Sequence, residues 1–137
     1  METTEPIKKL EEIIRREDFL PPDLRDLAQL DEALPIGYGQ TISQPLVVGF
    51  MLELLELKAG QKILDIGAGS GWTTALLAKI VGKEGKVVGL EIIPEVAEFG
   101  KKNVAKYNFI EKGIVKYLCQ DGSAGYLMEA PFDGILV

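Results

Sequence analysis

The stretch KILDIGAGSGWTTALLAKIVG, residues 62–82, restricts the fold more than any other part of the chain. KILDIG is short and mostly apolar, so it reads as a buried strand. SGWTTALLAKIVG reads as a helix closed by Gly82. Between them Gly67, Gly69 and Gly71 permit tight turning and close backbone approach. A loop that leaves a strand and opens a helix lies at the carboxyl edge of a parallel sheet, where such folds bind ligands. The plainer reading is a glycine-rich connector. Three alternating glycines just after an acid, Asp65, weigh against it. A dinucleotide fingerprint needs G-x-G-x-x-G, and Trp72 stands where its third glycine belongs. A Walker GK[ST] is also missing, so a nucleoside-triphosphate cradle is not supported.

The pattern then repeats. KVVGLE reads as a second strand and PEVAEFGKKNVAKYN as a second helix with Pro94 at its start. Val96, Phe99, Val104 and Tyr107 are candidate core positions. GIVKYLCQDG supplies a third strand, and APFDGILV a turn and a fourth. Strands alternating with helices predict an α/β, Rossmann-like fold, with a mainly parallel sheet and flanking helices. At 137 residues the chain is expected to be a single domain. Residues 1–57 would form an N-terminal helical cap, and residues 58–137 the ligand-binding βαβ part.

In the cap, Ile7, Leu10, Ile13 and Ile14 recur at helical spacing. Pro21 and Pro22 break the chain, and Leu24, Leu27 and Ala28 suggest a further turn or two of helix. DEALPIGYG reads as loop. A helix is expected from Pro45 to about Leu57, burying Val47, Phe50, Met51, Leu54 and Leu55 on one face. The stretch before it, YGQTISQP, reads poorly as turn or strand. Its hydroxyls are either caps or a site. Ser43, two residues ahead of Pro45, is placed to accept an N–H of the first helical turn.

Composition removes several function classes. Histidine is absent, which excludes Ser–His and Cys–His nucleophilic sites. The lone Cys119 allows no internal disulfide and no cysteine metal cluster; a small buried hydrophobe is its expected role. No metal site is predicted. The net charge of −6, without a long basic run, argues against nucleic acid as a partner. No stretch is long enough to span a bilayer, and no apolar signal region opens the chain. The expected compartment is the cytoplasm.

Glu91 closes the second strand twenty residues after Gly71. A carboxylate there can accept both hydroxyls of a ribose. Alone it would be a solvated strand-end acid. Asp121 follows the third strand, with Gly122 freeing the backbone beside it; alone, Asp-Gly is only a turn.

The G-A-G-S-G spacing resembles the S-adenosylmethionine loop of class I methyltransferases, with Asp65 as its acid. That resemblance implies a class I methyltransferase fold and S-adenosyl-L-methionine as cofactor, S-adenosyl-L-homocysteine being its product. Asp65 would serve the cofactor's ammonium, and Gly67, Ala68, Gly69, Ser70 and Gly71 would lie against its methionine part. Glu91 would take the ribose, and Asp121 with Gly122 the adenine side.

More specifically, REDFLPPDLRDLA, ALPIGYGQTISQP, LDIGAGSGW, VVGLEIIPEVAEF, QDGSAGY and EAPFDGILV, in this order, resemble the protein-L-isoaspartate O-methyltransferase family. GQTISQP is the most distinctive of these. The resemblance implies methylation of the abnormal α-carboxylate of L-isoaspartyl residues in damaged proteins, a repair reaction. It places Thr41 and Ile42 at the cofactor and Ser43 near the transferring methyl. Leu46, after SQP, and Gln29, in AQLDE, depart from the family's pattern.

The family's sheet continues past the point matching Val137. The last strands of the usual sheet are therefore expected to be missing, and the chain to be a fragment, a truncated form or a half completed by a partner. The fourth strand would then offer an open apolar edge for self-association. Two other readings stay open: a module that binds S-adenosylmethionine without turnover, and a class I methyltransferase with a small-molecule acceptor.

Overall fold

The computed structural model describes residues 4–137. The βαβ reading holds. Strands β3 (Lys62–Ile66), β4 (Lys86–Glu91), β5 (Val115–Cys119) and β6 (Gly134–Leu136) form one parallel sheet in the order β5-β4-β3-β6. Helix α3 (Trp72–Val81) joins β3 to β4, and α4 (Pro94–Ala105) joins β4 to β5. The chain steps outward from β3 to β5, then returns to the far side of β3 with β6. The end of β3 is thus the point where strand order reverses, and ligand crevices in open α/β sheets lie there.

Side chains alternate across the sheet, and the two faces carry separate clusters. Ile63, Val87, Val115 and Tyr117 pack with α3, α4 and the N-terminal segment in the main core. Leu64, Val88, Leu90 and Tyr126 form a smaller cluster. Helix α3 is held by burial: Trp72, Ala75, Leu76, Leu77, Ala78 and Val81 are each at most 1% exposed. Each large apolar side chain there contributes about 1.5–3 kcal/mol.

The N-terminal segment packs over this face. Helix α1 (Glu5–Ile13) buries Ile7 and Leu10, and Ile14 is buried just beyond it, while Ile13 faces solvent. Two 3-10 turns follow, Arg16–Phe19 and Pro22–Leu27. Phe19 stacks on Tyr107 with ring centroids 5.7 Å apart, which ties the segment to the end of α4.

Four readings need correction. DEALPIGYG is not loop throughout: β1 (Leu34–Gly37) pairs antiparallel with β2 (Gln40–Ile42). Leu34 and Ile36 point inward and Pro35 outward, an alternation too short to stand out among prolines and glycines. Tyr38 and Gly39 both take positive φ, as a two-residue hairpin turn requires.

Helix α2 (Pro45–Leu54) is shorter than expected and buries Val48, Gly49 and Leu52, leaving Val47, Phe50 and Leu54 exposed. Apolar residues surround this helix, so periodicity does not select a face; its anchored start does. That start is not capped by Ser43. Asp31 accepts the N–H of Leu46 at 2.9 Å instead. Finally, Cys119 is exposed: it shares a face with the buried Val115 and Tyr117, but it is the last residue of the outer strand β5, past the end of the packed core.

Candidate functional site

Period-2 alternation puts Asp65 of β3, Glu91 of β4 and Tyr117 of β5 on the α3 face of the sheet, near its carboxyl edge. Gly89, paired with Asp65, leaves the room they need: a Cβ there would lie 3.1 Å from the Thr74 hydroxyl and 3.2 Å from the Tyr117 ring. The sequence marks Asp65 and Glu91 but gave no weight to Gly89 or Tyr117.

The glycine loop after β3 is built with its polar backbone turned inward. The N–H groups of Gly67 and Ala68 both donate to Leu90 O, at 2.9 and 3.0 Å. Gly69 N–H donates to Glu91 Oε1 at 3.0 Å, Gly71 N–H to Ala68 O at 2.9 Å, and Trp72 N–H to Ser70 Oγ at 3.3 Å. Two carbonyls are held as well: Tyr117 OH donates to Gly69 O at 2.6 Å, and Asn103 Nδ2 to Ser70 O at 3.0 Å. Gly67, Gly69 and Gly71 all have positive φ. Gly71 is also a packing residue, since a Cβ would stand 2.7 Å from Gly100 O. With five amides engaged internally, this loop is not the donor nest that a phosphate needs.

Asp65 is 2% exposed and Glu91 4% exposed, and neither has a cationic partner among the described residues. Asp65 Oδ2 accepts the hydroxyls of Thr73 and Thr74 at 2.8 and 2.7 Å. Burial pushes the Asp65 carboxyl up to about 6; the two threonine bonds oppose this and the charge of Glu91 adds to it. Glu91 spends one lone pair on each oxygen, on Gly69 N–H and on Ile93 N–H at 3.0 Å. Each oxygen keeps a second acceptor position. Tyr117 is raised above its ordinary value, chiefly by burial.

Thr41, Ile42, Ser43, Gly67, Ala68, Gly69 and Ser70 line one small cavity of about 40 Å³ with Trp72 and Thr73. The T-I-S stretch and the glycine loop, far apart in sequence, therefore form opposite walls of one cleft. Ile42 is buried at 2%, so its side chain is also core, while Thr41 and Ser43 are exposed. Ser43 Oγ makes no hydrogen bond among the described residues.

Asp121 and Gly122 lie apart from this cavity. Asp121 is exposed, and its Oδ1 accepts Ser123 N–H at 2.9 Å, which holds the carboxyl below the usual range. Gly122 does not free the backbone, since its φ is not left-handed. It gives room to Ile66, whose Cγ2 would be 2.7 Å from an added Cβ.

Thr73 and Thr74, which answer the buried Asp65, were also missed. Their signal was present: a buried acid ending a strand needs donors from the first turn of the next helix. Gly100 and Asn103 had none, because the close approach of α4 to the loop is set by the sheet.

The chain matches the sequence model of the family described as protein-L-isoaspartate(D-aspartate) O-methyltransferase over residues 1–137. A protein-L-isoaspartate O-methyltransferase of Methanopyrus kandleri is 48% identical over 124 residues, covering 90% of this chain and 54% of that protein. A solved structure of a protein-L-isoaspartate O-methyltransferase superposes with a TM-score of 0.85 at 30% identity, covering 98% of this chain and 43% of that one. A Plasmodium falciparum structure, described as a putative protein-L-isoaspartate O-methyltransferase in complex with S-adenosyl-L-homocysteine, shares the fold. Its TM-score is 0.75 at 22% identity, with 85% of this chain and 56% of that one covered. The chain spans about half the length of the curated relatives it matches. By its sequence across all of its residues, the chain belongs to the protein-L-isoaspartate O-methyltransferase family.

Proposed function

We propose that this chain carries the cofactor site and the acceptor-facing T-I-S segment of an S-adenosyl-L-methionine-dependent methyltransferase. Its acceptor is the α-carboxylate of L-isoaspartyl residues in damaged proteins. The observation that carries this reading is the pair of buried carboxylates, Asp65 and Glu91, without a cationic partner among the described residues, beside a loop whose amides face inward. Such a site repels phosphate and favours a cation bearing hydroxyl groups. S-adenosylmethionine has an ammonium, a sulfonium and a ribose diol.

When bound, the cofactor supplies a methyl group on a sulfonium, an electrophile that needs no acid. The chain's residues then have positioning roles. Asp65 would hold the ammonium, on the side of its carboxylate that the threonines leave open. The backbone of Gly67–Gly71 would face the methionine part. Glu91 would accept the ribose hydroxyls with its remaining lone pairs, and Asp121 with Gly122 would border the adenine. Thr41 and Ile42 form the facing wall.

Ser43 would donate its uncommitted hydroxyl to the acceptor carboxylate and orient it. A carboxylate with an ordinary value of about 3.9 is ionised at neutral pH, so no general base is required. Catalysis by placement and exclusion of water suits a chain without histidine.

The proposed setting is the cytoplasm. Among the described residues no helix is long and apolar enough to cross a membrane. Nucleic acid is not a proposed partner, in keeping with the net charge of −6. Strand β6 pairs with β3 on one side only, and that edge is the proposed route of self-association. The direct test is methyl incorporation into an L-isoaspartyl peptide against its L-aspartyl counterpart. Label in the isoaspartyl peptide alone supports the reading; equal label, or none from folded chain, overturns turnover by this chain.

A further inference from the structure

Arg16 is 5% exposed, and it forms no salt bridge among the described residues. Its guanidinium is spent on backbone carbonyls. Nη1 donates to Ala28 O and Leu30 O, each at 3.0 Å. Nη2 donates to Glu32 O at 2.6 Å and to Ser43 O at 3.0 Å. The same guanidinium lies over the ring of Trp72, 5.5 Å from its centroid. Ser43 and Trp72 both line the small cleft. One side chain therefore joins the 28–32 loop, the T-I-S stretch and the first residue of α3.

The residues just after the T-I-S stretch are held by Asp31, from the same 28–32 loop. Its Oδ2 accepts Gln44 Nε2 at 3.1 Å and its Oδ1 accepts Leu46 N–H at 2.9 Å. The backbone around Ser43 is thus fastened by two side chains, Arg16 and Asp31, while its hydroxyl makes no hydrogen bond among the described residues. The backbone on either side of Arg16 is tied to the core by bonds that do not involve its guanidinium. Trp72 Nε1 donates to Ile14 O at 3.4 Å, Tyr107 OH accepts Arg15 N–H at 2.9 Å, and Tyr107 OH donates to Asp18 Oδ2 at 2.5 Å.

We infer that Arg16 is a positioning residue for methyl transfer: it pins the Ser43 carbonyl to the indole of Trp72 and so fixes where the Ser43 hydroxyl stands relative to the glycine loop. This rests on the reading of the cleft as the methyl-transfer site. Arginine suits the task because its planar fork reaches several carbonyls while its face covers an aromatic ring. A lysine ammonium is a compact point charge. It cannot span the carbonyls of Ala28, Leu30, Glu32 and Ser43 and also lie flat on an indole.

Trp72 is the sole tryptophan, so its fluorescence reports on this contact without any ligand. The test compares Arg16→Lys with Tyr107→Phe, which loosens the same segment away from the cleft. Arg16→Lys should expose Trp72 to acrylamide quenching and weaken S-adenosylhomocysteine binding by about tenfold, because freeing the Ser43 carbonyl also frees the Thr41–Ile42 wall of the cleft, a displacement that Ser43→Ala does not cause. Tyr107→Phe should lower the thermal midpoint and leave quenching and affinity as they were. If both variants lose stability and neither alters Trp72 quenching or affinity, Arg16 is only structural and the inference fails.

If Arg16→Lys changes quenching but the unaltered chain binds no S-adenosylhomocysteine, the clamp stands and the functional reading falls. Should Arg16→Lys fail to fold, hydrogen exchange on the unaltered chain decides. Ligand should slow exchange in residues 28–32 as well as in the cleft. Protection confined to residues 41–43 and 67–73 would overturn the coupling.

Discussion

Glu91 Oε1 accepts the amide N–H of Gly69 at 3.0 Å, so the acid that ends β4 shapes the loop that follows β3. Its other oxygen holds Ile93 N–H at 3.0 Å, at the entry to α4. The sequence presents Glu91 as a ligand-facing acid; the fold makes it a brace as well. Glu91→Ala leaves both donors without their partner, which should cost about 1–3 kcal/mol for each one that stays dry. Glu91→Gln keeps an acceptor for only one of them and should fall between. Urea denaturation and S-adenosylhomocysteine calorimetry on the three proteins check the order, with affinity falling in step with the bracing.

Asp65 makes stability and binding depend on pH in opposite directions. Its carboxyl is raised from 3.8 to about 6 in the folded chain, first by burial. Between these values the unfolded chain ionises and the folded one resists, so this group lowers stability as pH rises from about 4 to about 6. The gap corresponds to ~3 kcal/mol at 1.36 kcal/mol per pK unit. Asp65→Asn should remove that fall, visible as the difference between the two proteins' stability profiles. Binding runs the other way, because the ionised carboxylate holds the ammonium. Affinity for S-adenosylhomocysteine should be level above about pH 6 and weaken towards tenfold per pH unit below it.

Gly100 is where α4 meets the glycine loop. A Cβ there would lie 2.1 Å from Gly69 O and 2.3 Å from Tyr117 OH. Gly100→Ala must move the helix or break the Tyr117 bond to Gly69, and overpacking of this kind costs about 1–3 kcal/mol. Thermal denaturation should register that loss, and cofactor affinity should drop with it. Alanine at an ordinary helical glycine would instead stabilise.

Ser43→Ala separates acceptor from cofactor. Its hydroxyl holds nothing in the fold, so stability should stay within about 0.5 kcal/mol of the parent. S-adenosylhomocysteine affinity should be unchanged. Methyl transfer to an isoaspartyl peptide should fall by about tenfold or more, the worth of a hydrogen bond to a charged group. A fall in cofactor affinity equal to the fall in transfer would move Ser43 to the cofactor wall.

The parts of the fold that rest on local pattern were legible. Strands β3 to β6 and helices α3 and α4 combine short apolar runs, glycine and proline punctuation, and clear alternation. What failed depended on tertiary partners. Helix α2 is apolar all round, and only Asp31 and the hairpin before it decide that Val48 rather than Val47 faces inward. The hairpin itself hides two inward residues among prolines and glycines. At the site, the acids and the glycine loop could be read because alternating glycines at a strand-to-helix junction, and acids at or near strand ends, are local patterns. Arg16, Tyr117 and Asn103 could not, since each acts on a backbone carbonyl of a distant segment, and carbonyls leave no mark in a sequence.

The central claim is that buried acids beside an inward-facing loop select a nucleoside bearing an ammonium over a phosphorylated one. Titration calorimetry of the 137-residue chain with S-adenosylhomocysteine and, separately, ATP tests it most directly. The account predicts saturable binding of S-adenosylhomocysteine at one site per chain and no saturable heat with ATP. Equal affinity for the two, or binding of ATP alone, would contradict it.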